Sequence, residues 1–131
     1  MVTNDLRYGP PETEQPADNV VAHTFLMLLI AIDFDNTFTA NPEMWRSIIG
    51  SCHYNQTARF ILVTARNQAH DNADLYRAIK FSGLTEVFFT SGGFKKQYLA
   101  KLGIHPDIWI DDSPGTIDQF GTLQPCDNNA L

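Results

Sequence analysis

The feature that constrains this chain most is the alternation of short apolar runs with helix-like segments through its middle. Four runs rich in Ile, Leu, Val and Phe have the length of buried strands, at residues 25–32, 60–64, 87–90 and 107–111. Strands that alternate with helices require right-handed crossovers, which build a parallel sheet covered on both faces. The sequence therefore predicts an α/β, three-layer, Rossmann-like fold.

Three helices are expected between these strands. The first begins at Asn41, where a cap residue precedes a first-turn proline, and the second covers about residues 70–82 and stops at Gly83. The third starts near Phe94 and stops at Gly103. Helical spacing predicts that the following residues face the core: Met44, Trp45, Ile48, Ile49 and Cys52, then Leu75, Tyr76 and Ile79, then Phe94, Tyr98, Leu99 and Leu102. Trp109 is expected to join them from the fourth strand.

Length and charge limit the classes of protein to consider. A chain of 131 residues with 44% hydrophobic and 18% charged residues suits one folded domain. We expect this domain at residues 23–120, between a proline- and acid-bearing N-terminal arm at 1–22 and a polar tail at 121–131. The net charge of −6 argues against a protein that coats nucleic acid, although it does not exclude one.

The cellular compartment is also suggested by the sequence. The run at 25–32 is too short to span a bilayer, and the residues before it lack the basic leader of a signal peptide. Cys52 and Cys126 are far apart and match no metal-ligand spacing, which favours free thiols in a reducing environment. We expect a soluble, cytoplasmic protein without a membrane partner.

Polar residues follow the apolar strands at the ends where ligands bind in such sheets. Asp33 and Asp35 end the first strand, Thr64 the second, and Asp111 and Asp112 the fourth. Lys95 opens the helix after the third strand. Each group has an ordinary explanation, such as a loop cap or a solvated lysine, but the combination predicts one shared site.

The chemistry of this set indicates a metal. Asp33 and Asp35 leave the strand toward the same side, and a cluster with Asp111 and Asp112 suits a hard cation such as Mg²⁺. Sharing one ion requires the first and fourth strands to be neighbours, which predicts the strand order 3-2-1-4. Lys95 and the Thr64 hydroxyl would then bind the other oxygens of a phosphoryl group.

In their order along the chain, the 33–37 segment Asp-Phe-Asp-Asn-Thr, Thr64, Lys95 and the Asp111-Asp112 pair resemble the four motifs of the haloacid dehalogenase-like (HAD) phosphatase superfamily. The resemblance covers roughly residues 25–114. It implies a phosphatase in which Asp33 attacks phosphorus and Asp35 is the general acid and base. It further implies that Mg²⁺ binds the Asp33 carboxylate, the Asp35 main-chain carbonyl and Asp111, with Asp112 bound directly or through water. Thr64 and Lys95 would hold the phosphoryl group.

Two positions depart from this pattern or leave a choice. Asn36 stands where many members of the superfamily have glycine, although asparagine tolerates positive φ better than most residues. Lys96 is the alternative to Lys95; we prefer Lys95 because it lies four and seven residues before Leu99 and Leu102 and so flanks the expected buried stripe. Receiver domains use a similar inventory, but their acidic pair comes first in the chain and their phosphate-accepting aspartate later.

The surroundings of the site bear on the substrate. The connections between the first three strands have room for one helix each, so no cap domain is expected, and an open site favours a bulky phosphorylated substrate or closure by a second copy of the chain. Arg66 and Asn67 lie at the rim as candidate substrate contacts, with an ordinary loop as the alternative. The turn at 91–93 offers N–H groups to an anion, but a plain turn is the simpler interpretation.

The alternative functions are a non-catalytic module that binds a phosphorylated or protein partner, and a nucleic-acid 3′-end phosphatase.

Overall fold

The computed structural model describes residues 27–119. The expected arm at 1–22 and tail at 121–131 lie outside the described residues. The strands are β1 (Leu28–Ile32), β2 (Ala58–Thr64), β3 (Val87–Phe89) and β4 (Ile108–Ile110), and the helices are α1 (Pro42–Asn55), α2 (Ala73–Ile79) and α3 (Lys95–Lys101). Two 3-10 turns, Phe38–Ala40 and Pro114–Thr116, follow β1 and β4.

The four strands form one parallel sheet in the order β3-β2-β1-β4. The predicted order is therefore confirmed. Ile32, the last residue of β1, is in register with Leu62 of β2 and Ile110 of β4. Because β2 and β4 lie on opposite sides of β1, the chain changes direction across the sheet at β1, and the crevice between β1 and β4 is the switch point where ligands bind in such folds.

The two sheet faces are covered unequally. Ile30, Ile32 and Leu62 pack on the side of α1 and α2, while Ala31, Ile61 and Val63 pack with Leu99 of α3. This alternation follows from the two-residue period of a strand, which sends neighbouring side chains to opposite faces. The first cluster is the larger, since two helices contribute to it and only α3 covers the second in residues 27–119.

Part of the predicted buried stripes is wrong. Met44, Ile48 and Tyr76 are exposed, and so are Phe94, Tyr98 and Leu102. On α1, Ile49 is buried, and the partly buried Trp45 and Cys52 pack against the same core cluster. The buried side of α1 is therefore narrower than the five-residue stripe that was predicted. On α3, Lys95 and Leu99 are the buried residues, which turns the aromatic line toward solvent. Trp109 is half-buried against the second cluster, as expected of a core residue.

The cap at the start of α1 matches its prediction, since the Asn41 side chain accepts a hydrogen bond from the Met44 N–H. The β1–β2 connection holds one 3-10 turn and α1, and the β2–β3 connection holds α2. Neither of these fully described connections contains an inserted domain. None of the helices in residues 27–119 is long and apolar enough to cross a membrane.

Candidate active site

The buried ammonium of Lys95 joins the ends of β1 and β4. It donates to Asp33 Oδ1 at 2.8 Å and to Asp111 Oδ2 at 2.6 Å, and its side chain is 2% exposed. The Asp33 N–H donates to the Ile110 carbonyl at 3.0 Å, which continues the β1–β4 pairing into the site. A buried lysine requires such carboxylate partners, since an unpaired charge is costly to bury.

Lys96, the alternative in the sequence, has an exposed side chain and lies 3.6 Å from Asp118. The structure therefore places Lys95 and not Lys96 beside Asp33 and Asp111. The difference follows from the helix: Lys95 shares the buried side of α3 with Leu99, four residues later.

Thr37 is a site residue to which the sequence alone assigned no role. Its hydroxyl lies 3.3 Å from Asp33 Oδ2 and 3.0 Å from Asp112 Oδ1, and it accepts a hydrogen bond from the Asp112 N–H at 3.1 Å. The Trp45 indole N–H donates to the Thr37 carbonyl at 3.1 Å and fixes this turn against α1. The sequence does contain a signal for Thr37: it lies two residues after Asp35 and four after Asp33, and alternate residues that leave a strand end share a side.

Three carboxylates converge on one point. Asp33, Asp111 and Asp112 each offer an oxygen, and these oxygens lie within 4.8 Å of one another. Three carboxylate donors match the preference of Mg²⁺ for hard oxygen ligands, so the residues present fit the expected ion. The Asp35 carboxylate is not one of this group; the resemblance assigns its main-chain carbonyl to the metal instead.

Burial changes the acidity of the proposed nucleophile. Removal from water raises the pKa of the Asp33 carboxyl above its usual value, while the hydrogen bond and charge of Lys95 oppose this rise. The nearby Asp111 charge raises the pKa further. A divalent cation bound by the three carboxylates would favour the ionised form of each. A carboxylate must be ionised to act as a nucleophile.

Asp35 belongs to a second, more exposed network. Both of its oxygens accept from Arg66, at 2.9 Å from Nε and 2.8 Å from Nη2. The same guanidinium donates to both oxygens of Asp74, at 2.8 and 2.9 Å. The hydrogen bonds from Arg66 lower the pKa of Asp74 to about 2, and those from Asp74 and Asp35 raise the pKa of Arg66. The sequence placed Arg66 at the rim without finding either partner.

Thr64 is the last residue of β2, at the strand end that the sequence predicted, and Asn67 follows it in the next loop. Thr64 is buried, its hydroxyl accepts from the Arg66 N–H at 3.2 Å, and the next residue, Ala65, lines the cleft. Asn67 caps its own turn by accepting from the Ala69 N–H, and it lines a separate surface cleft with His70 and other residues. The structure therefore does not bring Asn67 to the carboxylates.

The site opens into a cleft of about 160 Å³. Its lining residues are Asp33, Asp35, Asn36, Ala65, Lys95, Asp111, Asp112, Ser113 and Thr116. Asn36 has a φ of 64°, so this position does adopt the left-handed conformation that glycine favours, and its N–H donates to the Thr39 hydroxyl. The turn at 91–93 is not an anion site, because the N–H groups of all three residues donate to carbonyls of the chain.

Comparisons of the chain with protein-family models, with curated proteins and with solved structures found no match. The interpretation of the cleft therefore depends on its own residues and geometry.

Proposed function

We propose that this protein is a Mg²⁺-dependent phosphomonoesterase of the HAD type that works through a phosphoaspartyl intermediate at Asp33. The observation that carries the proposal is the buried Lys95 ammonium shared between Asp33 and Asp111 at the switch point of the sheet. A carboxylate nucleophile, a cation for phosphoryl oxygens and an acidic metal site suit phosphoryl transfer through a phosphoaspartyl intermediate.

The residues around the cleft divide the steps of this reaction between them. Asp33 attacks phosphorus and forms a P–O bond as the ester P–O bond breaks, and Asp35 gives its proton to the leaving oxygen. Asp35 then removes a proton from water, which attacks the phosphoaspartate and releases inorganic phosphate and free Asp33. Lys95 binds phosphoryl oxygens, and Thr37 orients Asp33 and Asp112. Asp33, Asp111, Asp112 and the Asp35 carbonyl would hold Mg²⁺, which would supply charge stabilisation.

Thr64 is the remaining residue of this scheme. The resemblance to the HAD superfamily implies that Thr64 binds the phosphoryl group. Its hydroxyl is buried and already accepts a hydrogen bond from the Arg66 N–H. A hydroxyl also has one hydrogen to donate, so it keeps a donor for a phosphoryl oxygen that enters beside Ala65. We retain Thr64 as a phosphate-binding residue on that ground.

The form of the site suggests the substrate. Asp35 and Asp112 are exposed, and the two connections that could carry a cap hold single helices. A phosphate at the end of a bulky substrate can reach such a cleft, and a second copy of the chain could close it. Cytoplasmic location remains part of the same proposal.

The decisive experiment is hydrolysis of an aryl phosphate with and without Mg²⁺, followed by a panel of nucleotides, sugar phosphates, phosphopeptides and oligonucleotide ends. Asp33→Asn should abolish turnover while the fold is kept. Lys95→Met should lose turnover as well, and the matched Lys96→Met variant should keep it. Full activity of Asp33→Asn would exclude the covalent mechanism.

One observation favours a second candidate, a non-catalytic module that binds a phosphorylated partner. Both oxygens of Asp35 are engaged by Arg66, so the proposed acid and base is not free in this structure. Protection against heat by beryllofluoride, with no hydrolysis of any phosphate ester in the panel, would favour this candidate over the enzyme.

A further inference from the structure

Arg66 uses its whole hydrogen-bonding capacity within the protein. A guanidinium has five N–H donors. Nε donates to Asp35, Nη2 donates to Asp35 and to Asp74, and Nη1 donates to Asp74 and lies 3.4 Å from Asn72 Oδ1. The guanidinium carbon also lies 5.0 Å from the centre of the Phe34 ring. Arg66 therefore has no free donor for substrate while Asp35 and Asp74 are both bound.

This arrangement conflicts with the work proposed for Asp35. A bidentate guanidinium occupies both oxygens of the Asp35 carboxylate. To exchange a proton with the leaving group or with water, one of these oxygens must instead be directed into the cleft. Asp35 must therefore leave Arg66, at least in part, during each turnover.

Asp74 reduces the cost of that departure in two ways. Its negative charge is held on the same guanidinium, so it repels Asp35 and weakens the attraction between Asp35 and Arg66. It also remains as a bidentate partner when Asp35 leaves, so Arg66 is not left with an unpaired charge. Asp74 lies in the first turn of α2, which fixes its position relative to the loop that carries Arg66.

We propose that Asp74 is a positioning residue that acts through Arg66: it keeps the guanidinium from immobilising Asp35 and so permits acid and base catalysis. The inference depends on the proposed phosphatase function. It assigns a role to a carboxylate outside the motif set.

The kinetic test compares the kcat of Asp74→Asn with that of a double variant that also lacks Arg66. Asp74→Asn should lower kcat about fivefold, the upper end of the worth of an exposed ion pair, and leave KM nearly unchanged. Arg66→Met combined with Asp74→Asn should be faster than Asp74→Asn alone, because no guanidinium remains to hold Asp35. A double variant that is no faster than Asp74→Asn, or an unchanged kcat in Asp74→Asn, would overturn the proposal.

A second readout requires no turnover and so separates this proposal from the function itself. The Arg66 Nε–H contacts Asp35 and not Asp74, and its NMR signal is identified by its loss in Arg66→Met. Exchange of this proton with water should become slower in Asp74→Asn, because Asp35 is then held more tightly. Faster exchange would show that Asp74 only supports the loop, and would contradict the proposal whether or not the wild type hydrolyses phosphate esters.

The matched control is Glu86→Gln, which breaks the exposed Arg59–Glu86 pair near the amino ends of β2 and β3. It removes the same kind of charge at the opposite end of the sheet from the site. Both kcat and the Arg66 Nε–H exchange should stay at wild-type values. A change in either would mean that surface charge in general, and not the position of Asp74, produces the effect.

Discussion

Two networks at the carboxyl ends of the strands have the same composition, one cation between two carboxylates, in different surroundings. In the first, Lys95 lies between Asp33 and Asp111, with Lys95 and Asp111 side chains each 2% exposed. In the second, Arg66 lies between Asp35 and Asp74, whose side chains are 49% and 55% exposed. Charge interactions are strong where water is excluded and weak where it is present. The buried network should therefore determine whether the site holds together, and the exposed one how easily Asp35 moves.

The largest expected effect is on stability when the buried cation is removed. Lys95→Met leaves Asp33 and Asp111 without a counter-charge, and breaking a buried ion pair in this way costs about 3–5 kcal/mol. Urea unfolding without Mg²⁺ would measure it. Lys96→Met, one residue away and exposed, should change the free energy of unfolding by less than about 0.5 kcal/mol. Equal losses of unfolding free energy in the two variants would mean that Lys95 stabilises the fold no more than an exposed lysine does.

Mg²⁺ should stabilise the buried network and leave the exposed one unaffected. At about 100 times its dissociation constant, an ion that binds the folded state alone adds about 2.7 kcal/mol. We expect the urea midpoint to rise with Mg²⁺ in the wild type and in Arg66→Met, but not in the double variant Asp111→Asn with Asp112→Asn. Stabilisation of that double variant to the wild-type extent would place the ion elsewhere.

Removing the cation of the exposed network should have a smaller effect on stability. Arg66→Met removes two partly solvated ion pairs and the guanidinium that lies over Phe34, and should cost about 1–2 kcal/mol. Added salt should shrink this cost, because it screens exposed charges more than buried ones. A cost in Arg66→Met as large as that in Lys95→Met, and insensitive to salt, would remove the distinction between the networks.

The smallest effect concerns pH. The pKa of Asp74 is about 2 in the folded protein against an ordinary 3.8, so its ionised form is favoured by folding. A carboxyl whose pKa is lowered on folding stabilises the protein above its unfolded pKa and loses this contribution as the pH falls through the folded value. The difference in urea midpoint between wild type and Asp74→Asn should thus be constant above about pH 5 and shrink toward zero near pH 2. A difference that grows on acidification would contradict the assignment.

Local patterns in the chain were sufficient for the architecture and for the main residues of the cleft. Apolar strands followed by Asp33, Thr64 and Asp111, with helices between them, predicted a parallel sheet, and the expectation that Asp33 and Asp111 share one metal ion predicted the order 3-2-1-4, which the structure has. Lys95 was preferred over Lys96 from its spacing to Leu99 and Leu102; Leu102 is exposed, but the structure does place Lys95 between the two carboxylates. Whether these residues hydrolyse a phosphate ester stays a prediction.

Tertiary structure alone decided the contacts between loops and the side of each short helix that is buried. The Arg66 guanidinium reaches Asp35 and Asp74 because the loops after β1 and β2 meet the first turn of α2 at one edge of the sheet, and no spacing in the sequence encodes those distances. Phe94 and Tyr98 face solvent because the cost of burying Lys95 is met only where Asp33 and Asp111 lie, and this fixes the rotation of α3. Periodicity shows which residues share a helix face, whereas packing and charge determine which face is turned inward.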